Sequence, residues 1–72
     1  MSAMREQLER LVAEMVHRGI RYEDAHREFE KHFIMQALNK VNGNLVRASE
    51  LLGIHRNTLS RKVNSYQLRK KP

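Results

Sequence analysis

Cysteine is absent from this 72-residue chain, so no disulfide staples it and no thiolate is available for catalysis or metal binding. That fits a reducing compartment, and the cytoplasm is the expected location. No apolar run approaches the ~18 residues of a membrane span, and Met1 to Arg10 hold no apolar signal-peptide core. Strand-like alternation, internal repeats and low-complexity segments are missing as well. The length allows one domain and leaves no room for a large catalytic cleft between domains. Chains this short often need metal, disulfides or a partner chain to complete a core. With disulfides excluded and no metal motif in view, self-association is the natural remedy.

What is present is an uneven charge. Residues 1–41 carry seven basic groups and seven acidic ones and sum to zero. Residues 42–72 carry Arg47, Arg56, Arg61, Lys62, Arg69, Lys70 and Lys71 against Glu50 alone, so the whole +6 lies there. Such asymmetry assigns assembly to the neutral part and a polyanion to the basic part. A solvated basic tail accounts for 69–72 but not for Arg47, Arg56 and Arg61, which lie inside patterned segments.

Apolar spacing predicts four helices. Met4, Leu8, Leu11, Val12, Met15 and Val16 recur at intervals of three and four over 4–17, and Gly19 stops that helix. A second helix runs from about Tyr22 to Val41, with Glu23 and Asp24 in the first turn, where the helix dipole favours acids. One stripe on it holds Tyr22, Ala25, Phe29, Phe33, Ala37 and Val41, and Ile34, Met35 and Leu38 widen it on a neighbouring face. A helix apolar on more than one side must be covered on more than one side. One preceding helix cannot do that, which argues for a second copy of the chain.

Asn42-Gly43-Asn44 is turn chemistry, with Gly43 ending the second helix and Asn44 capping a third that ends at Leu52. After Gly53 and Ile54 a last helix spans about His55 to Tyr66, with Leu59, Val63 and Tyr66 as core, and Gln67 to Pro72 reads as a frayed tail. The small pair Ala48-Ser49 lies five and four residues before Gly53, and Leu59 six after it. Two short helices crossing steeply need small side chains where they approach, a glycine at the tight turn, and an apolar residue from each side in the wedge. That is a helix-turn-helix, which presents its second helix to the DNA major groove. His55, Arg56, Asn57, Ser60, Arg61 and Lys62 on that helix can all donate to phosphates or base edges.

The pattern G-N-x-x-x-A-[small]-x-L-G-I-x-R-x-T-L-x-x-K-[apolar] resembles the Fis family, which includes the bacterial nucleoid protein and the C-terminal domains of NtrC-type, sigma-54-dependent activators. Gly43, Asn44, Ala48, Leu52, Gly53, Ile54, Arg56, Thr58, Leu59 and Lys62 carry it, and Phe29-Glu30, Phe33-Ile34 and Ala37-Leu38 resemble the family's long second helix. The resemblance covers about residues 4–68. It implies an all-α, four-helix domain forming an intertwined homodimer: residues 1–41 supply the dimerisation helices, 42–68 the helix-turn-helix and 69–72 a basic tail. The dimer core would use Leu8, Leu11, Met15, Phe29, Phe33, Ile34, Ala37 and Leu38. Double-stranded DNA would be the partner, met in the nucleoid, with no cofactor. Arg56 matches the family's base-contacting arginine, Asn44, Thr58 and Arg61 match sugar-phosphate contacts, and Arg47 matches a basic position near the start of the third helix. Lys62 is expected on phosphate. Paired recognition helices held closer together than successive major grooves imply a bent duplex with an A·T-rich centre.

The departures from the family are as specific. Val46 stands where the nucleoid protein has a hydroxyl residue, His55 replaces an asparagine, Asn57 a glycine and Ser60 an arginine, so base preference is expected to differ. Nothing ahead of Met4 can form the β-hairpin arm that contacts recombinases. No phosphate-binding loop or receiver region supports ATPase or phosphorelay activity, although membership of a larger sigma-54-type activator stays open. His17, His26, His32 and His55 lack zinc-site spacing. No nucleophile elbow or paired acids support catalysis. The alternative function is a protein- or RNA-interaction module that uses the basic C-terminal helix.

Overall fold

The computed structural model describes residues 2–68. They form α1 (Ser2–His17), α2 (Tyr22–Lys40), α3 (Leu45–Leu52) and α4 (Arg56–Tyr66), with no strand among the described residues. The expected all-α, four-helix architecture is the observed one. Boundaries moved little. α1 starts two residues earlier than its apolar spacing suggested, and His55 stands outside α4 as its cap.

All four helices end in a similar way. A residue one or two positions past the helix turns left-handed, and its own N–H and the next one fold back on the last carbonyls. After α1, Gly19 N–H donates to Val16 O and Ile20 N–H to Met15 O. After α3, Gly53 and Ile54 repeat the pair on Glu50 O and Ser49 O. The left-handed residue after α2 is Asn42 (φ 56°), one position ahead of the expected Gly43, and Gly43 N–H closes the motif on Leu38 O. Asparagine tolerates this region better than most side chains do. Gly43 is itself left-handed (φ 81°) and turns the chain toward Asn44. After α4, Gln67 (φ 57°) takes the role, and Leu68 N–H donates to Val63 O. Gln67 and Leu68 are therefore an ordered cap rather than the start of a frayed tail, because Leu68 also packs on the core. Arg69 to Pro72, the rest of that expected tail, lie outside the described residues.

The core is the helix-turn-helix closed onto the second half of α2. Ile34 and Leu38 of α2, Ala48 of α3, and Leu59 and Val63 of α4 form one buried cluster, with Val41, Leu45, Leu52, Ile54, Tyr66 and Leu68 packed around it. Ala48 and Leu59 are fully buried, so the small residue and the wedge residue do what their spacing predicted. Ser49 is buried too, and its hydroxyl donates to Val46 O at 2.7 Å, which removes the cost of an unpaired polar group.

Three residues of the expected dimer core, Ile34, Ala37 and Leu38, are buried within the single chain. Ile34 and Leu38 are already buried by the chain's own α3 and α4, and Ala37 is buried beside them. One of the two apolar faces of α2 is thus satisfied internally. The other is not. Phe29 and Phe33 are 57% and 53% exposed, their rings tilted against each other at 5.4 Å. α1 has no buried residue, and Leu8 and Leu11 are 50% and 56% exposed. Leu8, Leu11, Val12 and Met15 of α1, Phe29, Phe33 and Ala37 of α2, and Leu51 and Leu52 of α3 line one open groove of about 930 Å³.

Candidate nucleic-acid interface

The basic half places its donors at two helix starts. Asn44 precedes α3 with extended backbone, and its Oδ1 accepts from Arg47 N–H at 3.1 Å. His55 precedes α4 in the same way, and its Nδ1 accepts from Asn57 N–H at 3.0 Å. That bond requires the neutral imidazole with its proton on Nε2, which leaves the Nε2–H as a donor. Histidine here does the capping work more often done by asparagine, aspartate or serine. Both starts keep uncapped N–H groups and the positive end of the helix dipole, a setting that favours anions.

Beyond the caps, Arg56, Asn57 and Arg61 are exposed, and Thr58 and Ser60 are half-buried beside them. Arg56 with Ser60, and Asn57 with Arg61, stand one helical turn apart. Leu59 and Val63 hold the opposite side of α4 in the core, which fixes this edge outward. Arg47 is exposed on the first turn of α3. Arg47, Arg56 and Arg61 make no ion pair with an acidic group among the described residues. Arg5 and Arg21 are unpaired among these residues as well, whereas Arg10, Arg18 and Arg27 each pair with an acid three or four residues back in the chain.

Lys62 does not share this edge. It is half-buried, and its Nζ lies 2.9 Å from Oε2 of Glu30 on α2. Tyr66 donates its hydroxyl to Oε1 of the same carboxylate at 2.6 Å. The two bonds, the tyrosine's first, hold the Glu30 carboxyl below its ordinary 4.5. The same bond to Glu30 pushes the Tyr66 phenol above its ordinary 10.0. Glu30 and Tyr66 were not among the residues expected to matter for the site. No periodicity links an acid in the middle of α2 to a lysine 32 positions later. A half-buried acid beside a helix-turn-helix is visible only once the helices cross.

The histidines have separate settings. His26 stacks on Tyr22 with ring centroids 6.1 Å apart, His32 Nε2 lies 3.4 Å from Glu28 Oε1, His17 closes α1, and His55 caps α4. Among the described residues no helix is long and apolar enough to cross a membrane.

A capped short helix, a glycine-hinged turn and a second helix with a basic outer edge are the parts of a DNA-reading unit. Comparison with known proteins agrees. The profile of the bacterial regulatory proteins of the Fis family matches residues 25–66. The chain belongs to the Fis family. Its match begins within α2 and ends with α4, so the Fis signature covers the helix-turn-helix together with the helix face that closes it. A Xylella fastidiosa protein, provisionally named a Fis-like DNA-binding protein, is 48% identical over 42 residues, which is 58% of this chain and 47% of that protein. The matched segment thus spans about half of that relative's length. No solved structure matches the chain significantly. The chain is thus a Fis family helix-turn-helix domain, from a family that does not ordinarily catalyse reactions.

Proposed function

We propose that the chain acts as a homodimer that reads DNA sequence-selectively through α4 and bends its site, as a transcription regulator or nucleoid protein in the bacterial cytoplasm. The observation that carries this reading is the exposed edge of Arg56, Asn57 and Arg61, free of acidic partners among the described residues, at the start of a helix fixed by its own core. Arg56 reads a base, most naturally guanine O6 and N7. Arg61, Asn44, Arg47 and Thr58 hold the backbone, and His55, Asn57 and Ser60 set the preference that distinguishes this protein from other members. The open groove between α1 and α2 receives the same groove of a second copy, with Leu8, Leu11, Met15, Phe29 and Phe33 as the shared core. Two reading helices on so short a core require the duplex to bend, at about 1–6 kcal/mol depending on the sequence bent. An easily compressed A·T-rich centre is therefore preferred. The tail Arg69-Lys70-Lys71, outside the described residues, adds phosphate contacts on the flanks. The same arrangement serves as the C-terminal domain of a larger sigma-54-type activator.

The test compares binding to duplex DNA and to RNA of equal length, then Arg56→Ala on a selected site against a scrambled one. Duplex binding with about 1–3 kcal/mol of lost discrimination in Arg56→Ala is expected. Equal loss on every sequence would remove the base-reading role, and a preference for RNA would overturn the reading. Melting midpoints that rise with protein concentration check the dimer, and a bend angle from energy transfer checks the bending.

A further inference from the structure

Lys62 lies on the same helix as the proposed reading residues, yet its ammonium meets Glu30 Oε2 at 2.9 Å. Tyr66, one turn further along α4, binds Oε1 of that carboxylate at 2.6 Å. One α2 carboxylate therefore holds two side chains of α4, each by a separate oxygen. The Lys62 and Glu30 side chains are 36% and 23% exposed. The arginine–acid pairs between residues 6 and 27 join side chains that are 58–79% exposed, and pairs of that kind hold little in place.

α4 otherwise shares with α2 the apolar cluster of Leu59, Val63, Ile34 and Leu38. Apolar contact is non-directional and tolerates a roll of one helix on another. Two charge-assisted bonds on one edge do not, because each has a narrow angular range. A roll of about 15° moves a side-chain tip at the ~5–6 Å radius of a helix by roughly 1.5 Å. That is enough to break a two-bond contact with a base edge while a flexible side chain still follows a phosphate.

We propose that Glu30, Lys62 and Tyr66 form a strut that fixes the roll of the recognition helix on α2, with Lys62 a positioning residue rather than a phosphate anchor. The strut rests on the DNA-binding reading above and adds to it a determinant of selectivity that touches no DNA. Because α2 also carries Phe29 and Phe33, the strut refers the reading angle to the proposed dimer face.

The test uses the full chain, a duplex selected from a random pool and a scrambled duplex, titrated between 50 and 200 mM salt. Arg61→Ala should flatten the slope of log affinity against log salt by about 0.9, one phosphate contact. Lys62→Met should leave that slope unchanged. Lys62→Met, Glu30→Gln and Tyr66→Phe should each cut the ratio of selected to scrambled affinity three- to tenfold, and Glu30→Gln with Lys62→Met should be no worse than either alone. The proposal is overturned if Lys62→Met flattens the slope as Arg61→Ala does while Glu30→Gln tightens binding to both duplexes, the result of a lysine released onto phosphate. An unchanged affinity ratio in all three variants overturns it equally. If the wild-type chain binds no duplex, the DNA-binding reading itself fails. The strut is then judged by melting in the absence of DNA, where non-additive losses for Glu30 and Lys62 support it and additive ones reject it.

Discussion

α2 joins two halves of the molecule. One of its faces buries Ile34 and Leu38 under α3 and α4, and the core of this closed half lies within one chain. Another face displays Phe29 and Phe33 beside an α1 that buries nothing, and this half is open. Apolar residues on one helix, Phe33 and Ile34 even adjacent in the chain, thus end up covered on one face and open on the other. An apolar stripe states only that something must cover it. What covers it depends on whether the chain returns, and here α3 and α4 return to one face of α2 only.

The largest effect should come from attacking the open half. Phe33→Asp places a charge where the proposed second copy docks, and an uncompensated buried charge costs about 3–5 kcal/mol. Loss of the concentration dependence of melting, with a monomer mass in sedimentation and collapse of the fold, is expected. A stable monomer with unchanged helicity would show that the closed half stands alone and break the comparison. Next comes Leu59→Ala in the closed half, where the side chain is fully buried. Truncation there should cost about 2–5 kcal/mol, read in urea melts, and should abolish duplex binding without the α1 groove being touched. A smaller effect is expected at the turn. Gly53 has φ 72°, and a Cβ added there would meet no atom within 4 Å. The glycine is required by its backbone angle rather than by crowding, so Gly53→Ala should cost about 1–2 kcal/mol. Gly53→Asn should cost less, since asparagine accepts the left-handed region.

The smallest effect tests the link between the halves. The Glu30 carboxyl is held below its ordinary 4.5 by Tyr66 and then Lys62, with a lesser pull from His26. A depressed acid contributes stability that is fully present above its unfolded value and is lost as pH falls through the folded one. Wild-type melting midpoints should therefore drop more steeply below pH ~4.5 than those of Glu30→Gln. Parallel curves would mean that the carboxylate carries no such linkage.

Much of the closed half could be read from spacing. Ala48, Gly53 and Leu59 occupy the roles their separations imply, and Asn44 caps α3 as its side chain suggests. Sequence alone marks His55 as a donor to DNA, and only the folded turn shows its capping bond from Asn57 N–H. Gly43 is the stronger local signal for a left-handed angle, whereas Asn42 takes that angle first, so α2 ends one residue earlier than its spacing suggests. Nothing local marks a cap at Gln67, so Gln67 and Leu68 resemble a tail until the fold is known. Lys62 has the same local setting as the exposed basic residues, and its partner lies on another helix.

The sequence by itself determined the helices, the stops of α1 and α3 at Gly19 and Gly53, the helix-turn-helix and the arginine-bearing edge, and it carries the family pattern. These features depend on residues within a few positions of one another, through backbone angles, capping bonds and helical periodicity. Only the tertiary structure decided which face of α2 the chain covers itself, and that Glu30 joins Lys62 and Tyr66. Those outcomes depend on how α3 and α4 cross α2. A crossing is set by the summed packing of many side chains, and no local spacing encodes which charged tips it brings within 3 Å.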